Sequence, residues 1–298
     1  MFIGKTELSV SGRVLKIAKL RHEWFEYLDD PVAFIQEAKQ ARVADILTFL
    51  QEAPVERPMF PFQSEPASAS VLVFKSFEDW WKNLNFKARN KARKAQKSGV
   101  ELRPAKLDDE FVRGVEIIYN EAPLRQGRKF AHYGKDFATI KNDLSSFPDC
   151  TLFIGAYHEN RLIGFMKLFE GNKILRTIHI IATFADRDKC AMDALIAKAV
   201  EIASGKNIFH LHYGDWAQNG LGAFREKFGF ERHDCPRYFV PLNWRGKLAL
   251  KAGLHRPWRE RVPPKLRARL VGARNHWNAW RHGSKPAPVA ITATPVDD

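Results

Sequence analysis

The chain has 298 residues, 45% of them hydrophobic, which is enough to bury a full core in one large or two modest domains. Three cysteines, Cys150, Cys190 and Cys235, stand far apart without metal-ligand spacing, so neither a disulfide framework nor a zinc site is indicated and a reducing, cytoplasmic setting is expected. The formal net charge of +14 and the lack of any ~18-residue apolar run point to a polyanionic partner and away from a membrane span.

Residues 1–75 read as a small α/β lead-in. Val14 to Leu20 alternates as a strand. Asp30-Pro31 is an N-cap with proline at the first helical position, opening a helix over Val32 to Ala41. Ala44 to Gln51 reads as a further helical turn or two, Pro54, Pro58 and Pro61 impose an extended loop, and Ser70 to Phe74 reads as a strand. Trp24, Phe25, Tyr27, Phe34 and Phe49 are read as interface core, since aromatic side chains mostly bury.

Phe77 to Ser98 reads as one helix, apolar at first and basic later. Lys82 to Lys97 holds seven Lys or Arg and no acid, so the i+4 partners that an exposed helix normally uses are missing. Val100 to Arg103 then reads as a strand and Leu107 to Tyr119 as a helix. The loop Asn120 to Gly134 carries Glu121, Arg125, Gln126, Arg128, His132 and Tyr133 around Gly127, a set suited to gripping a carboxylate or phosphate, with the same residues also compatible with an ordinary polar loop. Lys135 to Phe147 reads as a helix, and 151–157 with 161–169 as a hairpin across His158-Glu-Asn160.

Arg176 to Thr183 is β-branched and unbroken, a buried strand, with Phe184 to Asp188 as its exit loop. Lys189 to Ser204 has apolar residues at spacings of three and four and stops at Gly205. Ile208 to Tyr213 is a strand ending at Gly214-Asp215-Trp216, Asn219 to Phe228 a short helix closed by Gly229, and Tyr238 to Leu242 a last strand.

This succession of strand, loop, helix, strand, short helix, "FGF" and last strand resembles the acyl-CoA half of the GNAT superfamily of N-acyltransferases. The basic stretch Trp80 to Val100 is similar to the R-x-x-x-R-K-A-x-K-x-G-V helix of the FemAB-like branch, whose members include enzymes that use aminoacyl-tRNA. The resemblance implies a GNAT-like mixed central sheet flanked by helices over residues 76–243. It places the donor at Ile181, Ala182, Thr183, Arg187, Asp188, Lys189, Cys190, Ala191, Met192 and Asn219, with the pyrophosphate at a helix N-terminus where unpaired N–H groups and the helix dipole attract anions. The family's Gln/Arg-x-x-Gly-x-Gly/Ala loop corresponds to Arg187-Asp-Lys-Cys190-Ala-Met192, where only the arginine remains. The acceptor is expected against Arg125, Gln126, Arg128, His132 and Tyr133.

Acyl transfer to an amine needs a base and a way to manage the leaving group. Asp215, His179 and Glu121 are the candidate bases. Asp215 could equally cap a helix, and His179 could be a core residue. Arg225 stands where the family often has a tyrosine that protonates the leaving thiolate. His210 and His212 share a strand face without a carboxylate or Cys cluster, so no metal is expected.

Residues 244–283 form a basic extension. Twelve Lys or Arg face one acid between Trp244 and Lys285, and Lys265 to Arg281 reads as an amphipathic helix able to lie on an anionic membrane or to pack on the preceding domain. Residues 284–298 read as a disordered tail. The expected function is transfer of an acyl group, acetyl from acetyl-CoA or another acyl-CoA, to an amine acceptor. Two alternatives stand beside it. One is an aminoacyl-tRNA-dependent transferase acting on a cell-envelope precursor at the inner face of the membrane; the other is a non-catalytic module that binds RNA or membrane.

Overall fold

The computed structural model describes residues 1–53, 55–125, 127–171, 174–216 and 220–256, with 269, 271–273 and 277 helical beyond them. In chain order the elements are β1 (Phe2–Ile3), β2 (Thr6–Ser11), β3 (Ile17–Leu20), α1 (Pro31–Gln40), β4 (Ile46–Leu50), β5 (Gln63–Val73), α2 (Phe77–Asn83), α3 (Phe86–Lys97), β6 (Glu101–Ala105) and α4 (Asp109–Asn120). There follow β7 (Leu124–Arg125), β8 (Arg128–Lys129), α5 (Phe137–Leu144), β9 (Thr151–His158), β10 (Arg161–Gly171), β11 (Ile174–Ala182), α6 (Ala191–Gly205), β12 (His210–Asp215), α7 (Gly220–Glu226), β13 (Glu231–Pro241) and α8 (Trp244–Lys251). The mixed α/β architecture is the one expected.

Eleven strands make one sheet in the order β1-β2-β3-β4-β13-β5-β12-β11-β10-β9-β6. Only β3 with β4 and β11 with β12 run parallel; the other pairs are antiparallel. The strands of the lead-in therefore continue the sheet, and β13 joins them to the rest by pairing with β4 on one side and β5 on the other.

Two layers cover the half of the sheet around β11. On one face α3 and α6 pack over Leu72, Leu175 and Leu211, with Ala88, Ala92 and Ala95 of α3 turned inward. On the other, α4 and α5 bury Phe111, Val115 and Ile140 against Leu162 and Phe165. Alternation along each strand feeds both cores. A separate core lies under α1, where Asp30 caps the helix by accepting from the Ala33 amide.

Several local expectations are corrected. Ala44 to Gln51 is not helical: Ile46–Leu50 is a fully buried strand, β4, because pairing with both β3 and β13 outweighs a short run's local preference. The helix read over Phe77 to Ser98 is two helices, since Leu84 leaves helical geometry (ψ 140°) and Asn85 caps a new start by accepting from the Lys87 amide. The last strand begins at Glu231, seven residues earlier than its apolar run, and β5 begins at Gln63. The helix read over Lys265 to Arg281 and the tail 284–298 fall outside the described residues, apart from the five helical positions named above. Among the described residues no helix is long and apolar enough to cross a membrane.

Candidate functional site

Strands β11 and β12 pair only at Leu175 with Leu211 and Arg176 with His212, and then part. From Thr177 to Ala182 the β12 side of β11 has no strand partner among the described residues, and Ile178 to Ala182, though inside the sheet, are only half-buried. This fork is the candidate site. Backbone groups in such an unpaired stretch must bind something, which makes it a natural cradle for a polar ligand.

At the base of the fork Arg176, 1% exposed, pairs with Glu52 at 2.5 Å and donates to Gly171 O and to Tyr27 Oη, both at 3.3 Å. His212 beside it is 2% exposed, with the Trp24 ring 5.1 Å away and no hydrogen-bond partner at Nε2 among the described residues. Burial, with Arg176 and Arg225 nearby, pushes its pKa down to about 3, so it is neutral. The segment around Trp24 thus roofs the β12 side of the fork.

A strap made by the loop after α4 roofs the other side. The Glu121 carboxylate accepts from the amides of Phe184 (2.7 and 2.8 Å) and Ala185 (2.9 Å). Arg125 donates to Ala182 O at 2.8 Å and Ile118 O at 2.9 Å, and its guanidinium lies between the rings of Phe130 and Phe184. Both side chains, expected as a base and as an acceptor grip, hold the strap through these bonds. Asn120 fastens the far end by accepting from the Gly134 amide and donating to Lys135 O.

Beneath the strap His179, His132 and Tyr119 form a ring cluster, with centroids 5.0 Å apart for the two histidines and 4.6 Å for Tyr119 with His132. Burial, then His132, Lys167 and Lys135, lowers the His179 pKa to about 4. It is neutral at pH 7 and a weak base. His132 lies 3.2 Å from Lys135, which pairs with Asp143 at 2.6 Å. Arg128 and Tyr133 are exposed on the strap, and Gln126 lies outside the described residues.

Asp215 ends β12 at the open mouth of the fork. Burial and Glu23 raise its pKa against the pull of Arg237, Arg225 and Lys19, while its side chain keeps access to solvent. Arg225, 5% exposed, donates to Asp215 O and stacks over Tyr213 at 4.2 Å. Its guanidinium, which stands where the family often has a tyrosine, ties α7 to the end of β12.

The expected donor segment surrounds the head of α6. Ile181 and Ala182 finish β11, and Thr183 is buried with its hydroxyl on Asp186 at 2.8 Å. Arg187 and Asp188 are exposed, Lys189 and Met192 half-buried, and Ala191 buried. Cys190 keeps the left-handed backbone of a glycine, φ 58°, but adds a side chain there. Asp193, 6% exposed in the first turn of α6, pairs with Lys227 at 2.5 Å. Asn219 lies outside the described residues.

Sequence reasoning passed over Arg176, Lys167 and Asp186. Each carried a signal, a charge inside an apolar strand or at its exit. Lys167 is wholly buried, bonded to Leu144 O, Ser146 O and Ser146 Oγ, and burial lowers its pKa to about 8. Two hollows of about 450 and 670 Å³ lie at the other end of the sheet and hold none of the candidate residues. Among the described residues no cluster could hold a metal ion.

No family model and no curated protein matches the chain. Solved structures do. The chain is similar to FemX (TM-score 0.60, 10% identity, 79% of this chain and 84% of that one). It is also similar to the C-terminal DUF2156 domain of a protein described as a lysylphosphatidylglycerol synthetase from Agrobacterium fabrum (0.54, 14%, 82% and 83%) and to L-PGS from Bacillus licheniformis (0.52, 12%, 79% and 81%). At such identities the likeness is one of fold. The forked mixed sheet with helices on both faces gives this chain a GNAT-like fold, in the arrangement it shares with FemX and the lysylphosphatidylglycerol synthetases.

Proposed function

We propose that the chain is an aminoacyltransferase of FemAB type, moving an aminoacyl group from tRNA to a nucleophile of a cell-envelope precursor. The observation that carries this reading is the capture by Glu121 of the amides at the exit of β11, on the path to α6. An acyl-CoA pyrophosphate needs free amides and a positive helix end. Here the Phe184 and Ala185 amides are taken by Glu121, the first turn of α6 already holds the Asp193 carboxylate in its pair with Lys227, and Cys190 and Met192 carry side chains where the family's loop has small residues. An aminoacyl ester brings no pyrophosphate and needs only the fork. The name of the two synthetases points the same way, toward an aminoacylated lipid as product.

In the proposed step the acceptor amine or hydroxyl attacks the ester carbonyl carbon, the bond to the terminal ribose oxygen breaks, and the acceptor's proton passes to that oxygen through the Asp215 carboxylate. The raised pKa of Asp215 suits it to take and return a proton. Unpaired β11 backbone between Thr177 and Ala182 holds the carbonyl. Neutral His179 and His132 line the acceptor side, with Arg128 and Tyr133 at its rim. Arg225 orients Asp215, and Arg176 fixes the base of the fork. Residues 244–283 complete the reading as a peripheral contact with an anionic membrane: Trp244 and Leu248 of α8 are 72% and 58% exposed among Arg245, Lys247 and Lys251.

A second reading, acetyl transfer from acetyl-CoA, is favoured by Arg187, which stays exposed beside the head of α6. Calorimetric titration with acetyl-CoA, alongside release of labelled amino acid from charged tRNA into a lipid or precursor fraction, separates the two. The proposal expects transfer from tRNA and no saturable CoA binding. Micromolar acetyl-CoA binding that Arg187→Ala weakens would overturn it.

A further inference from the structure

The outer face of α3 is a dense run of like charge on the described surface. Lys82 in the last turn of α2 and Lys87, Lys91, Arg93, Lys94 and Lys97 of α3 are all exposed, and none pairs with a carboxylate among the described residues. Elsewhere about half of the described cations have an acid, among them Lys135, Lys141, Arg161, Lys206, Lys227, Arg232 and Arg237, and the unpaired ones are spread over the chain and not gathered on one helix. On α3 the neighbours at three and four residues are like charges instead, 87 with 91, 91 with 94, 93 with 97 and 94 with 97, an arrangement that costs helix stability. The seventh cation, Arg89, is used internally on Trp81 O and Lys82 O.

The direction of α3 gives this face a purpose. Its first neighbour α2 starts at the C-terminal end of α6, where the Phe77 amide bonds Ser204 Oγ at 3.0 Å. The far end runs through Gly99, close to His158, into β6, which pairs Glu101 with Tyr157. The turn after β9 joins that end to the mouth of the fork, because Arg161 pairs with Asp186 at 3.0 Å and Gly164 lies opposite Ala182. So the cations climb alongside α6 for about 18 Å, twelve residues at ~1.5 Å each, toward the end at which the fork opens.

We infer that the α3 face is the docking track for the double-stranded acceptor stem of an RNA whose 3′ end enters the fork; this rests on the tRNA-donor reading and adds where the tRNA lies. A regular array of unpaired lysines on a rigid helix suits two rows of phosphates, and exposed Phe86 with Trp81, over which Arg93 lies at 5.7 Å, offers surfaces for a sugar or unpaired base. A bilayer is the poorer fit. The apolar stripe of α3 is consumed against α6, leaving no face to insert between lipids.

The test compares wild type, Lys87→Gln/Lys91→Gln/Lys94→Gln, and a charge-matched control, Lys5→Gln/Lys39→Gln/Arg42→Gln, whose exposed side chains sit at the opposite end of the sheet. Binding of uncharged tRNA and of an acceptor-stem minihelix is followed by fluorescence anisotropy across a salt series, with co-sedimentation on phosphatidylglycerol-rich vesicles in parallel. The α3 variant is expected to bind both RNAs at least ten-fold more weakly at 150 mM salt, with a salt slope shallower by about two to three units, while the control and vesicle binding stay at wild-type values. Equal RNA affinity of the α3 variant and wild type overturns the inference, as does a loss confined to vesicles. RNA binding through α3 without aminoacyl transfer would overturn the donor reading and leave the track standing. Transfer from tRNA at an unchanged KM in the α3 variant would do the reverse.

Discussion

Arg176 and Glu52, 124 residues apart in sequence, form a 2.5 Å ion pair at the base of the fork between β11 and β12. The partners are unequal, since the Arg176 side chain is 1% exposed and that of Glu52 31%. Removing the acid strands a buried cation, whereas removing the arginine leaves a carboxylate that reaches water. Glu52→Gln is therefore expected to cost about 3 kcal/mol and Arg176→Met less, as read by urea denaturation. Equal losses would mean that the pair is not the stabilising feature.

Acid should weaken the fold before ordinary carboxylates titrate. His212 has a pKa of about 3 in the folded chain against ~6.5 unfolded, so the unfolded state binds the proton first. Its contribution is whole above pH 6.5 and is lost as pH falls, at up to about 1.4 kcal/mol per unit. Half-buried His179, at about 4, adds a smaller term of the same sign. Thermal denaturation between pH 7 and 5 should show the decline, and His212→Gln should flatten it.

If Asp215 carries the proton, Asp215→Asn should lower turnover roughly 10²–10³-fold with little change in KM. In the wild type the acid limb of kcat should fall above the usual carboxylate range, because burial and Glu23 raise this group. Arg225→Lys should lower kcat, because the bond to Asp215 O is lost, and leave the position of that limb nearly unchanged, because lysine keeps the charge that acts on Asp215.

Cutting the strap at Glu121 should loosen it locally. Glu121→Ala leaves the Phe184 and Ala185 amides without their acceptor, at a cost of about 1–2 kcal/mol, and hydrogen exchange at these two amides should quicken. Glu121→Gln, which keeps one oxygen, should show a smaller change. Unaltered exchange in the alanine variant would contradict the strap.

The exposed side of α8 is expected to meet lipid. Trp244→Ser/Leu248→Ser should reduce co-sedimentation with phosphatidylglycerol-rich vesicles several-fold while sparing tRNA binding. An equal loss of both would place RNA on this helix.

How far the sequence revealed the fold depended on how local each cause was. The run from Arg176 to Phe230 was legible because a β-branched strand, a three-and-four-spaced helix and Gly205 each announce themselves within a few residues. Asp30 and Pro31 announced α1 in the same way. Ala44 to Gln51 was misread because its state is decided by β3 and β13, the latter nearly 200 residues away. The site was legible in residue type more than in role. Glu121 and Arg125 were visible as a candidate base and a candidate acceptor contact in one loop, but their partners Ala182, Phe184 and Ala185 lie 57 to 64 residues on. Arg225 was read from the family's tyrosine position, and its bond to Asp215 O, ten residues back, was not legible there.

The place of β13 between β4 and β5 has a consequence for how the chain assembles. β4 and β5 are neighbours in sequence yet never touch as strands; Glu231–Pro241 must fill the gap. During synthesis the first fifty residues therefore wait, with their apolar strands unpaired on one edge, until about 240 residues have been made. So late a closure of long loops predicts slow folding and a window of aggregation for the nascent chain. It also makes β13 the clasp of the molecule: a chain stopped just before it would hold two half-sheets with nothing to join them.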